Sequence, residues 1–155
     1  MRALIQRVSQ ANVSILDSTP WAEEQPLRNI DKGFVVMLGV SEDDTPAQAE
    51  RLWNKILKMR IFEDEDGKTN LSLADVRGQV MVVSQFTLYA NCKKGNRPSF
   101  TKAGSSEYAN ELYRHFIELA RKDLETVATG EFGACMSVSL VNEGPFTIWL
   151  DTDEL

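Results

Sequence analysis

The stretch from Met136 to Leu150 carries two strand signals with an obstacle between them. Met136-Ser137-Val138-Ser139-Leu140-Val141 alternates apolar and polar residues, the period of a half-buried strand. Phe146-Thr147-Ile148-Trp149-Leu150 is aromatic and β-branched, which also favours a strand. Between them stands Gly144-Pro145. Proline has no N–H and a fixed φ, so it is unsuited to the middle of a sheet. Two readings follow. One is a turn that joins two strands; the other is a rigid loop that presents its backbone at a site.

The rest of the chain supplies more strands and two helices. Residues 2–15 mix polar residues with β-branched Ile5, Val8, Val13 and Ile15 and read as a long strand, bulged in places. Residues 17–29 hold two prolines and several acids and read as a loop, with Trp21 available to pin it. Ile30 to Val40 reads as a strand bent at Gly33, and Gln79 to Leu88 as a central strand. Thr45, Pro46 and Gln48 mark a helix start of capping-box type. Ala49, Leu52, Trp53 and Ile56 then recur at helical spacing, opposite a charged face. Glu63 to Gly67 reads as an acidic hairpin turn, because the ligand spacing of a calcium loop is missing. A second helix begins near Ser105 or Ser106 and buries Ala109, Leu112, Tyr113, Phe116, Ala120 and Leu124. A chain of 155 residues is long enough for one domain with a real core, so residues 1–155 are read as a single unit. Its class is α+β: an antiparallel sheet or barrel-like core with two main helices.

Charge and composition narrow the function. A net charge of −6 argues against a general nucleic-acid binder. The cations are segregated, however: Lys93, Lys94, Arg97 and Lys102 fall inside an acid-free stretch from Gln79 to Ser106. No apolar run approaches the ~18 residues of a membrane span. The N-terminus has no apolar signal core, because Arg2, Gln6 and Arg7 interrupt it. Cys92 and Cys135 are too few for a disulfide framework, so the expected compartment is the cytoplasm. His115, the one histidine, sits beside a helical apolar stripe and is read as a packing or surface residue. Little remains for a zinc site or a Ser/His/Asp triad, and no phosphate-binding glycine motif occurs. No metal or cofactor is expected.

Five short segments are unusual together. They are Gln6-Arg7-Val8, Ser84-Gln85-Phe86-Thr87-Leu88, Gly95-x-Arg97-Pro98-Ser99-Phe100, Phe132-Gly133-Ala134 with Met136, and Asn142-x-Gly144-Pro145-Phe146-Thr147. In order and spacing the chain resembles the D-aminoacyl-tRNA deacylase family along nearly its whole length. One departure is the 17–29 segment, which is longer than the short hairpin turn expected there.

The resemblance implies a homodimer that hydrolyses the ester joining a D-amino acid, or glycine, to the 3′-terminal adenosine of tRNA. It implies no cofactor and neither a DNA nor a membrane partner. It places a cis Gly144-Pro145 bond in the neighbouring subunit's site, where the two carbonyls read the substrate's α-amino group. A rigid backbone wall there rejects an L side chain. Ser84, Gln85, Phe86 and Thr87 form the catalytic segment, with backbone N–H groups of Gln85, Phe86 or Thr87 as the oxyanion hole. Thr87 is either a nucleophile or structural; a water assisted by the substrate's 2′-OH suits the lack of an evident base. Arg7 is expected to hold the partner's Gly144-Pro145 carbonyls, with Asn142 and Thr147 supporting the motif. Phe132, Ala134 and Met136 are assigned to the adenosine pocket. Lys94, Arg97 and Ser99, with Lys93 and Lys102, are assigned to the CCA end of the tRNA. The alternative for the lysines is a solvated loop. The competing functions are an RNA-binding module that protects a free 3′ end and a structural homodimer without a site.

Overall fold

In the computed structural model, which describes all 155 residues, one long N-terminal strand organises the sheet. β1 (Arg2–Asp17) pairs antiparallel with β3 (Gly33–Gly39) from Arg2 opposite Gly39 to Val8 opposite Gly33. Farther along, it takes β2 (Asn29–Ile30) at Ala11 and Asn12. Its other partner is β8 (Cys135–Asp151), which runs antiparallel along both halves. Beyond β3 lie β6 (Gln79–Ser84) and β7 (Val127–Thr129). A separate hairpin joins β4 (Phe62–Glu63) and β5 (Thr69–Leu71) around the acidic turn expected at Glu63 to Gly67.

The expected α+β class with two main helices is what the chain forms, but the sheet is mixed. β6 runs parallel to β3, and β7 parallel to β6. Parallel neighbours need crossover connections. Helix α1 (Pro46–Lys58) lies on the first crossover and α2 (Ser106–Asp123) on the second. Phe34 to Val36 and Val80 to Val83 are unbroken apolar runs because these strands are buried on both faces. Phe34, Val36, Leu38, Val80 and Val82 point into the larger cluster, shared with α1 and α2. Val35, Met81 and Val83 point the opposite way and pack with Val8, Ala11 and Val13. The distal half of the β1–β8 ribbon therefore curls over the second face, and the sheet closes into a near-barrel. Gly33 permits the β3–β6 approach, since a Cβ there would lie 1.8 Å from the Gln79 carbonyl oxygen.

Helix α1 starts as expected, with Pro46 in its first turn and the Gln48 side chain accepting the Thr45 N–H at 2.9 Å. Ala49, Leu52, Trp53 and Ile56 are buried, each large side chain contributing roughly 1.5–3 kcal/mol. Trp53 also donates its indole N–H to Asp123 and stands edge-on to Phe116, which fixes α1 against α2. No helix is long and apolar enough to cross a membrane.

The turn reading of Gly144-Pro145 is corrected. The chain does not reverse there: β8 pairs with β1 on both sides, Asn142 opposite Val8 and Thr147 opposite Gln6. Three positions on β1, Gln6 to Val8, thus face six on β8, Asn142 to Thr147, and Glu143 to Phe146 loop out as a large bulge. The missing proline N–H leaves no gap in the ladder, because the bulge has no ladder to make.

Candidate active site

Where β6 ends, the chain tightens into a one-turn 3₁₀ helix, Phe86–Tyr89. The first N–H groups of such a turn have no partner within it. Gln85 N–H is already used, donating to the Leu38 carbonyl at 2.8 Å, so it leaves the set of expected oxyanion donors. Phe86 and Thr87 N–H remain as the free donors of the turn. The Thr87 hydroxyl accepts from the Gln85 side-chain amide. His115 is elsewhere, 3.8 Å from Glu50 across the α1–α2 packing. Tyr89 and Tyr113 are not bases here, because burial pushes both hydroxyls far up, and Tyr113 donates to the Val82 carbonyl at 2.9 Å.

A cavity of about 560 Å³ opens beside this turn. Ser84, Gln85 and Phe86 line one side; Phe132, Ala134 and Met136 line the other. The structure therefore brings together the expected catalytic and adenosine-pocket segments, apart from Thr87, which is not among the lining residues. Val40, Ala103, Gly104, Ser106, Ala109 and Val138 are among the other wall residues, and no motif marked them as part of a site.

The wall at Phe132 is backed by the 17–29 loop. Trp21 meets the Phe132 ring edge-on at 5.4 Å. Ser18 donates to the buried Glu131 carboxylate and Thr19 to both that carboxylate and the Phe132 carbonyl. Burial alone would raise the Glu131 carboxyl, but these donors and Arg28 outweigh it and hold it below the ordinary range. The longer loop thus braces the cavity, a role that its composition did not reveal.

The cationic loop starts and ends at the cavity rim. Phe86 and Phe100 stack edge-on at 5.1 Å, and Asn91 and Ser99 exchange backbone hydrogen bonds across the loop. Lys93, Lys94, Arg97 and Lys102 are exposed, none is in an ion pair, and none lines the cavity. Ser99 serves the loop's own ladder.

The Gly144-Pro145 bond is cis and exposed, and it is held by Arg7 of the same chain. Arg7 is buried; its Nε donates to the Glu143 carbonyl at 3.1 Å and its Nη1 to the Ile61 carbonyl. The guanidinium also lies 4.3 Å from the Phe146 ring centroid. Within one chain, then, Arg7 clamps the start of its own bulge through the Glu143 carbonyl. Asn142 Nδ2 donates to the carbonyls of Arg7 and Phe146, tying both ends of the bulge. Thr147 faces Gln6, whose amide reaches its hydroxyl at 3.4 Å.

The bulge and the cavity do not meet within one chain. The groove beside Gly144 is lined by Arg7, Lys32, Phe62, Glu63 and Glu143, none of which lines the cavity. Ser84 pairs with Leu38 and Arg7 with Phe34, so the two features are about 13 Å apart along the strands alone.

A family model described as D-Tyr-tRNA(Tyr) deacylase matches residues 4–151. The chain is 47% identical over 156 residues to the D-aminoacyl-tRNA deacylase of Thermosipho melanesiensis, covering 100% of this chain and 99% of that protein. It is 52% identical over 152 residues to the one from Lactobacillus gasseri, covering 97% and 99%. A solved structure described as c-Myc DNA Unwinding Element Binding Protein superposes with a TM-score of 0.86 at 38% identity, covering 97% of this chain and 98% of that one. A probable eukaryotic D-amino acid tRNA deacylase superposes at 0.76 with 18% identity, a likeness of fold. Fold and relatives together define an ester hydrolase that works on aminoacyl-tRNA. The chain belongs to the D-aminoacyl-tRNA deacylase family.

Proposed function

We propose that each working site is built from two copies of this chain, the cavity from one and the Gly144-Pro145 bulge from the other. The observation that carries this reading is the separation just described: an exposed, rigidly clamped bulge that the cavity of its own chain does not reach. The free edge of β8 supports it. This strand is 17 residues long, pairs only with β1, and exposes Val141 and Trp149. A long unpaired edge of that kind needs cover, and a second copy supplies it.

In this reading the 3′-terminal adenosine lies between Phe132, Ala134 and Met136, with the ester carbonyl at the head of the 3₁₀ turn. Phe86 and Thr87 N–H hold the developing oxyanion, a donor being worth roughly 3 kcal/mol. Water adds to the ester carbon, and the tetrahedral intermediate expels the ribose 3′-oxygen. The neighbouring 2′-OH assists that water, accepting its proton as it adds and passing its own proton to the departing 3′-oxygen, so the products are free tRNA with its 3′-OH restored and the amino acid. The Gly144 and Pro145 carbonyls of the second copy accept the substrate's ammonium hydrogens. A D side chain then points outward and an L side chain meets backbone. Glycine, with no side chain, is hydrolysed as well.

The test pairs substrate chirality with one side chain. The protein is expected to deacylate D-Tyr-tRNA and spare L-Tyr-tRNA. Thr87→Val keeps the backbone N–H and removes the hydroxyl, so it is expected to retain the rate within about tenfold. Loss of D-Tyr-tRNA hydrolysis in a folded Thr87→Val protein makes Thr87 the nucleophile. Equal protection of both tRNAs by the unaltered protein makes the chain a binding module.

A further inference from the structure

We infer that the exposed face at the C-terminal end of α1 is a second phosphate-binding surface, one that receives the duplex acceptor stem of the tRNA. Arg51, Lys55, Lys58 and Arg60, with Asn54, line an open groove of about 760 Å³. Glu154 is the one acidic side chain in its lining. Arg51, Lys55 and Lys58 take part in no ion pair, and Arg60 is held in place by hydrogen bonds to Asn70. Four cations against one acid is the reverse of the chain as a whole, whose net charge is −6. The basic residues Lys55 and Lys58 also complement the helix dipole, but that accounts for neither Arg51 nor Arg60. An open, unneutralised cationic groove suits a polyanion whose phosphates lie several ångströms apart.

Its position identifies that polyanion. The groove ends at Met59 and Arg60, and the next residue, Ile61, gives its carbonyl to Arg7, which holds the Glu143 carbonyl of the bulge. Groove and bulge are thus parts of one rigid corner. The inference rests on the two-copy reading above: when the bulge enters the second copy's cavity, the groove comes with it and flanks the cavity mouth. The cationic 90–104 loop borders that mouth from the cavity's own chain. A 3′ end seated in the cavity leaves its stem to pass between the two basic surfaces.

The test is the double substitution Lys55→Gln with Lys58→Gln, compared with a charge-matched control on exposed α2, Arg114→Gln with Lys122→Gln. The substrates are D-Tyr-tRNA and D-tyrosine esterified to the trinucleotide CCA, which has no stem. For D-Tyr-tRNA, KM is expected to rise about tenfold or more with kcat unchanged, and the slope of log KM against log salt to fall by about two. The trinucleotide ester and the control are expected to behave as the unaltered protein does. Unchanged KM and salt slope for D-Tyr-tRNA overturn the groove, as does equal damage to the trinucleotide ester. Binding of uncharged tRNA to the same variants answers for the groove even if hydrolysis proves not to be D-specific, an outcome that counts against the functional reading instead.

Discussion

Gly144→Ala is expected to cost about a hundredfold in D-aminoacyl-tRNA hydrolysis while the protein stays folded. Gly144 has φ +125°, a backbone region that an alanine enters only with strain. A Cβ there would lie 2.7 Å from the Phe146 ring and 3.1 Å from Nη2 of Arg7. Neither neighbour gives way easily, since Phe146 and the guanidinium pack on each other and Arg7 is tied to two carbonyls. The bulge itself must shift. Its exposure confines the stability loss to roughly 1–3 kcal/mol, the cost of one strained residue. The effect on function is larger, because a displacement of about 1 Å in a positioning group typically costs a hundredfold in rate. The check is kcat/KM for D-Tyr-tRNA and L-Tyr-tRNA beside a thermal melt. A variant with a lowered melting point and unchanged kcat/KM and selectivity marks Gly144 as purely structural.

Arg7→Ala is expected to be the more destabilising change, by roughly 2–4 kcal/mol. It leaves the Ile61 carbonyl, which accepts from the buried Arg7 Nη1, without its partner, and removes the packing of the guanidinium against Phe146. It also frees the Glu143 carbonyl, so the bulge loses its anchor on one side and keeps only the Asn142 amide. Activity is expected to fall by at least as much as in Gly144→Ala. Arg7→Lys recovers part of the stability but little of the activity, because one ammonium cannot keep the fork's two directions at once. Denaturant unfolding and single-turnover deacylation separate the two losses. If Arg7→Lys restores full activity, a point charge suffices and the planar fork is irrelevant.

Much of this arrangement was legible in the residues. The α1 start at Thr45-Pro46, the helical stripes and the strand runs all declare themselves by local periodicity and end chemistry. The five motifs named the family, and the fold gathers two of them, at Ser84–Phe86 and Phe132–Met136, around one cavity, while Phe100 of a third meets Phe86 at its rim. What stayed hidden depends on partners remote in sequence. Gly144-Pro145 has the composition of a turn, and only pairing with β1 on both sides reveals a bulge in one strand. The direction of β6 relative to β3 is set by the crossover, whereas Val80 to Val83 would be buried in either orientation. Arg7 offers a charge within a strand, and nothing local says whether it reaches its own chain or another. Gln85 N–H is lost to the Leu38 carbonyl, a neighbour visible only once β3 and β6 align. Trp21 and Glu131 brace the cavity through a loop whose sequence shows no periodicity.

The sharing of each site between two chains is tested most directly by mixing two inactive variants. Gly144→Ala disables the bulge and leaves the cavity intact. Ala134→Phe fills the cavity, which Ala134 lines, and leaves the bulge intact. Unfolded together in equal amounts and refolded, the chains assort at random, and in every mixed pair one cavity faces an intact bulge. About a quarter of all sites are then complete. D-Tyr-tRNA hydrolysis is expected to return to about a quarter of the unaltered protein's rate, with L-Tyr-tRNA still spared. A mixture no more active than the average of the two variants alone would contradict a shared site.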